Sequence, residues 1–167
     1  MRLNRKFFNR STVAVAKELL GKYLCRRING KIMKARIIET EAYCGKRDLA
    51  CHSSKGLTPR TKIMFGPPGY AYIYLIYGMY HCFNIVTREQ GCPEAVLIRG
   101  CELANGPGKL CRELKIDKKL NGVDLAKSKE IWVEDYGEPP GKIMKGKRIG
   151  VEYAGKWKNK MWRFWVD

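Results

Sequence analysis

The chain predicts an α+β fold: a single domain over residues 1–167, with a curved, mostly antiparallel β-sheet, several helices and one protruding β-hairpin. Three observations carry that expectation. Strand-like runs follow one another through tight turns at Asn29-Gly30 and Tyr77-Gly78-Met79, the connection of antiparallel neighbours rather than the helical crossover of a parallel sheet. Helical spacing is confined to a few short stretches. A length of 167 residues suits one domain with a real core.

Phe7 to Tyr23 reads as a first helical element, capped by Ser11 or Thr12, turning Val13, Val15, Ala16, Leu19 and Leu20 inward and ending at Gly21. Tyr23–Ile28 and Lys31–Tyr43 form a hairpin across Asn29-Gly30. Residues 44–69 are irregular, basic and rich in Gly and Pro, long for a plain connection and therefore a candidate for function. Tyr70–Ile76 and Tyr80–Val86 make a second hairpin in which Gly78 supplies the turn, and Ala95–Arg99 another strand. Gly106–Ile116 predicts a helix and Ser128–Trp132 a shorter one; Arg148–Glu152 and Trp162–Val166 predict closing strands.

Composition narrows the function. The chain is 45% hydrophobic and 29% charged, which argues for a folded protein. Thirty-three Lys and Arg against 16 Asp and Glu leave a net charge of +17. A surplus that large, interleaved with aromatics, points to a polyanionic partner, most simply nucleic acid. The seven cysteines are scattered without a Cys-x-x-Cys pair, against a zinc ribbon. Without a signal-peptide pattern or a bilayer-length apolar run, the expectation is a cytoplasmic protein with reduced thiols, and no membrane association.

The most informative stretch is Ile37 to His52, IIETEAYCGKRDLACH. Alternation places Ile37, Glu39, Glu41 and Tyr43 on one face and Ile38, Thr40 and Ala42 on the other. Two glutamates on an apolar ribbon need a reason. Either they face solvent, or one sits where a carboxylate is used.

Here the residues carry a resemblance. ETEAY (39–43), His52, TPR (58–60), MFGPPG (64–69), YIYLIYGMYHCFN (72–84), VLIR (96–99), NGPGKLC (105–111) and the closing VEYAGKW and RFW are similar, in order and spacing, to the alkyladenine (3-methyladenine) DNA glycosylase family. The resemblance implies a cofactor-free, metal-free enzyme of base excision repair. Such an enzyme everts an alkylated or deaminated purine from double-stranded DNA and hydrolyses its glycosidic bond. It implies that Glu41 is the carboxylate that deprotonates the water and faces an oxocarbenium-like sugar, with Arg99 keeping it ionised and oriented. Glu39 is then structural or supports Glu41.

By the same resemblance Tyr43 and Tyr74 stack on the everted base and His52 bonds its edge. Main-chain groups around Cys51-His52 add a contact, and Asn84 meets the amino group of normal guanine as a bad neighbour. An aromatic exposed at a hairpin tip makes sense as a wedge, so Tyr77 is expected to fill the vacated stack, with Met79 beside it. Their charge and position make Arg47, Lys55, Arg60, Lys62 and Lys109 the expected phosphate contacts, with Gly106-Pro107-Gly108 expected to present bare N–H groups to another. A monomer is expected, cytoplasmic or, in a prokaryote, at the nucleoid. The chain departs from the family at GCELAN (100–105), where most members carry a longer segment near the DNA; this bears on the grip on undamaged DNA. The competing reading is a non-catalytic module of the same fold that holds distorted DNA or RNA. Charge and aromatics support it equally; a carboxylate facing a polyanion does not.

Overall fold

A computed structural model describes all 167 residues. The helices are α1 (Arg5–Phe8), α2 (Thr12–Glu18) and α3 (Pro107–Glu113). The strands are β1 (Tyr23–Ile28), β2 (Lys31–Tyr43), β3 (Ala71–Ile76), β4 (Tyr80–Thr87), β5 (Glu94–Cys101), β6 (Ala104–Asn105), β7 (Ile131–Glu134), β8 (Ile143–Gly146) and β9 (Arg163–Val166). All nine join one curled antiparallel sheet with the path β3-β4-β5-β2-β1-β7; β6 pairs with β5, and β9 joins β2 to β8. The α+β expectation holds.

β2 organises the molecule. Its first half pairs with β1, and its second half runs between β5 on one side and β9 on the other. The pairing with β5 shifts register between Ile37 and Thr40, a bulge that resets which way side chains point. Ile37 therefore packs in the main core with Ala35 and Ala42, while Glu39, Glu41 and Tyr43 turn to the opposite face. Strict alternation had placed Ile37 with the glutamates; the extra residue at the bulge reverses it.

The two faces of the sheet have different company. One packs on α1, α2 and α3 through Phe8, Val15, Leu19, Leu110 and Leu114, against Ile73, Phe83, Ile85, Val96 and Ile98. Each such burial stabilises by about 2 kcal/mol. The other face is roofed by the segment 44–69, which carries two short 3-10 turns, His52–Lys55 and Lys62–Phe65. There Cys51 and Met64 meet Tyr72, Val86 and Ala95.

Three predicted elements come out differently. The stretch from Phe7 splits into α1 and α2, and Ser11 stands at the N-cap without a side-chain bond. Thr12 turns inward instead, its hydroxyl 2.8 Å from that of Thr87. Ser128–Trp132 is not a helix: the Ser128 hydroxyl accepts from the N–H groups of Glu130 and Ile131, making a turn that leads the β-formers Ile131, Trp132 and Val133 into pairing with β1. Arg148–Glu152 is not a strand, because Arg148 is drawn into a buried ion pair and Gly150 takes a positive φ of 75°. The strand there is β8, a few residues earlier. No helix is long and apolar enough to cross a membrane.

Candidate active site

On the face away from the helices, cross-strand register lines up one row of side chains. Tyr72 pairs with Asn84, Asn84 with Leu97, Leu97 with Glu41 and Glu41 with Arg163. Same-face neighbours two residues along add Tyr74, Cys82, Arg99 and Tyr43. The floor of the site is therefore set by sheet register, the most rigid positioning a fold offers.

Above this row lies a cleft of about 490 Å³. Its walls include Tyr43, Tyr72 and Tyr74 from the sheet, Cys51, His52 and Arg60 from the loop, Tyr77 from the hairpin, and Ile149 and Tyr153 from the C-terminal segment. No lysine lines it.

Glu41 sits beneath the cleft with no solvent exposure of its side chain. Its Oε1 accepts the Ile149 backbone N–H at 2.9 Å and lies 3.5 Å from Arg99 Nε. Its Oε2 accepts the Tyr43 hydroxyl at 2.6 Å. Burial raises the carboxyl's pKa; Arg99, the Tyr43 hydroxyl, the Ile149 N–H and Arg148 oppose the rise in turn. The group is thus a carboxylate made more basic than usual yet supplied with donors that tolerate its charge. Burial, reinforced by Glu41, keeps the Tyr43 phenol protonated well above its ordinary range, so it remains a donor.

Glu39 sits one row over and accepts two guanidinium bonds, from Arg163 Nε at 2.6 Å and from Arg99 Nε at 3.2 Å. Arg99 is consequently shared between the two glutamates, closer to Glu39.

His52 lies with its ring centroid 4.5 Å from that of Tyr74, edge-on, and its Nδ1 is 2.8 Å from the Tyr72 hydroxyl. Burial, together with Arg60 and Lys55, lowers its pKa to about 4, so the imidazole is neutral at physiological pH. With Tyr72 as donor, the ring proton stands on Nε2 (an assignment that follows the bond). Tyr72 is a site residue that sequence reading passed over; its same-face spacing with Tyr74 was the available signal. Asn84 is buried, its amide donating to the Tyr72 carbonyl at 3.1 Å. The Arg60 guanidinium covers the Tyr74 ring at 5.1 Å.

The loop and the C-terminal segment are locked together behind the site. Asp48 and Arg148, neither exposed, pair through two bonds of 2.5 and 2.9 Å. Asp48 also accepts the N–H groups of Cys44 and Ala50, and Arg148 donates to the Ala42 carbonyl while covering the Tyr43 ring at 4.9 Å. Arg148, Ile149, Tyr153 and Arg163 carry no sequence signal because they reach the site from positions more than a hundred residues from Glu41, and Asp48, only seven residues away, carries none because its partner is Arg148.

Tyr77 stands at the tip of the β3–β4 hairpin, 89% exposed, with Met79 beside it at 65%. The turn is closed by the Met79 N–H on the Ile76 carbonyl, with positive φ at both Tyr77 (53°) and Gly78 (67°). Asn29-Gly30 adopts the same pair of signs, but there the first residue is Asn, which tolerates it; a tyrosine does so at a cost of about 1 kcal/mol.

The basic residues divide. Arg60 lines the main cleft, and Lys109 lines a smaller one of about 280 Å³ on the far side of the hairpin, with Tyr77, Tyr80 and Gly108. Arg47, Lys55 and Lys62 are exposed on the loop, outside both clefts. Two expected main-chain contacts are already engaged. The Gly106 N–H is held by the Arg99 carbonyl and Pro107 has none to offer, which leaves Gly108 as the free donor of that trio. Cys51 spends its N–H on Asp48 and its carbonyl on Ser54, so the His52 N–H is the group available there.

The chain matches the model of the methylpurine-DNA glycosylase family over residues 6–104 and 100–167. The two parts overlap at residues 100–104, in the short β5–β6 hairpin where Cys101 pairs directly with Ala104. Among similar proteins, one from Legionella pneumophila (strain Lens) is 51% identical, covering 99% of this chain and 94% of its own. One from Desulfitobacterium hafniense is 45% identical over 99% of this chain and 95% of its own. One from the strain MRE50 of Methanocella arvoryzae is 47% identical over 98% and 91%. All three are provisionally named 3-methyladenine DNA glycosylases.

Proposed function

The chain belongs to the methylpurine-DNA glycosylase family, and from that premise we propose that it is a monofunctional DNA glycosylase. It acts as a monomer on alkylated or deaminated purines in duplex DNA and leaves an abasic site. The observation that carries the reading is Glu41: a fully buried carboxylate, held by two hydrogen-bond donors and faced by the Arg99 guanidinium, under a cleft walled by tyrosines. A protein that merely grips a polyanion gains nothing from burying a negative charge beneath its binding face.

In this reading the damaged nucleotide leaves the stack, Tyr77 takes its place, and the base enters between Tyr43 and His52 with Tyr74 behind. The His52 ring and main-chain N–H bond the purine edge, and Asn84 penalises the amino group of guanine. The attacking water replaces the Tyr43 hydroxyl at Glu41 Oε2 and passes its proton to the carboxylate as the sugar–base bond breaks. Until it takes that proton the Glu41 carboxylate, oriented by Arg99, faces the positive charge that develops on the sugar. No lysine lines the cleft, so no Schiff base forms and the strand is left intact.

The electrostatic share of binding comes from Arg47, Lys55, Arg60, Lys62 and Lys109, spread on either side of the hairpin. Single-lesion duplexes carrying 3-methyladenine, 7-methylguanine, hypoxanthine or ethenoadenine test the reading directly. Release of a free base without strand scission is expected from at least one. Tight binding to all with release from none would replace it with the binding-module reading.

A further inference from the structure

The charges around Glu41 do not divide as a simple carboxylate–arginine couple. Glu39 and Glu41 compete for one guanidinium, that of Arg99, at 3.2 and 3.5 Å. A second cation settles the competition. Arg163, on β9, stands directly opposite Glu41 in register yet reaches diagonally to Glu39, at 2.6 Å. Its guanidinium is fixed there over the Trp165 ring at 4.4 Å.

We propose that Arg163 is a positioning residue for base excision: by neutralising Glu39 it leaves Arg99 to Glu41, and so sets the pH at which the buried carboxylate can act as a base. The inference rests on Glu41 being that base. Two carboxylates with two guanidiniums balance. Remove Arg163 and a single guanidinium serves two negative charges in a site where Glu41 has no solvent to fall back on. Arg99, which already donates to Glu39 at 3.2 Å and stands 3.5 Å from Glu41, is then divided between two charges, and ionised Glu41 loses part of its only close cation. Remove the Glu39 charge instead, and Arg99 passes wholly to Glu41.

The remaining groups facing Glu41 do not alter the signs. Arg148 acts on it through space; the Tyr43, Tyr74 and Tyr153 phenols and the Cys82 thiol stay neutral, their pKa values raised first by burial.

The test is single-turnover excision of 7-methylguanine from a duplex between about pH 5 and 9. That base already carries positive charge and departs without an acid, so the acid limb reports the carboxylate alone. Arg163→Gln is expected to move the acid-limb midpoint up by about one unit, making excision about tenfold slower on that limb while the alkaline plateau is kept. Glu39→Gln is expected to move it down, and Arg163→Lys to sit close to the parent protein. Opposite shifts cannot come from loosened structure, which lowers rates alike at every pH. Midpoints unchanged in both Gln variants, or shifted the same way, overturn the proposal. Glu41→Gln separates the premises: an active Glu41→Gln protein removes the general base itself, whereas an inactive one with unmoved midpoints in the others refutes Arg163 alone.

Discussion

The backbone N–H of Ile149 donates to Glu41 Oε1 at 2.9 Å across 108 positions of sequence. That bond ties the carboxylate on the central strand to a loop fixed by its neighbour Arg148, whose guanidinium is sandwiched between the Tyr43 and Trp162 rings at 4.9 and 5.1 Å. One turn of chain thus sets the carboxylate's orientation, the Tyr43 ring and, through Asp48, the loop that carries His52.

Glu41→Gln should bind lesion duplex as the parent does and lose excision by a factor on the order of a hundred or more. It should also melt at a higher temperature at neutral pH. The folded protein holds the Glu41 proton more tightly than the unfolded chain does. Its stability is therefore complete below the ordinary carboxylate pKa and declines as pH rises through the raised one. Calorimetry at neutral and acid pH should find the gain at neutral pH only.

Asp48→Asn should destabilise far more than any surface change. It leaves the fully buried Arg148 cation with a neutral partner, and breaking such a pair costs about 3–5 kcal/mol. Urea unfolding measures it directly; a loss below about 1 kcal/mol would show that the pair does not hold the two segments together.

Tyr77→Asn should stabilise the protein and impair it. Asn accepts the positive φ that Tyr77 carries at 53°, recovering about 0.5–1 kcal/mol. With the exposed ring gone, excision from duplex should fall at least about tenfold, and excision from a bulged or single-stranded lesion much less. Equal loss on both substrates would deny Tyr77 a role in opening the stack.

His52 should remain uncharged well into the acid range. The imidazole titrates near 4 in the folded protein, lowered from its ordinary 6.5. As pH falls below 6.5 the unfolded chain takes up a proton that the folded one refuses, so this residue's contribution to stability is present above 6.5 and is lost progressively toward 4. Nitrogen-15 chemical shifts would follow the His52 ring; a titration near 6.5 would mean a ring open to water.

Affinity for undamaged duplex should fall steeply with salt. Replacing Lys62 or Lys109 by Gln should each flatten the log–log slope by about one, without altering excision from saturated enzyme. A slope unchanged by both would move the phosphate-contacting face elsewhere on this +17 chain.

Much of this protein was legible in one dimension. Asn29-Gly30 announces its hairpin because a two-residue turn with positive φ at both positions leaves few residue types to choose from, whereas the second hairpin is marked by Gly78 alone, Tyr77 being a residue that such a turn disfavours. Charge and aromatics pointed to a polyanion because they are properties of composition. The wrong elements failed for local reasons: Ser128 capped a turn where a helix was read, and Arg148 looked like the start of a strand because its buried partner Asp48 lies a hundred positions away.

The sequence by itself determined the hairpin order, the basic character and which carboxylate to watch. It left undecided which face that carboxylate occupies, because period-two alternation is blind to the one-residue bulge between Ile37 and Thr40 that turns Ile37 to the core and Glu41 to the cleft. Only the tertiary structure brought Ile149, Arg148 and Arg163 to it. The physical reason is that a buried charge must find its partners wherever the closing strands deliver them, and strand register carries no mark in the sequence of either partner alone.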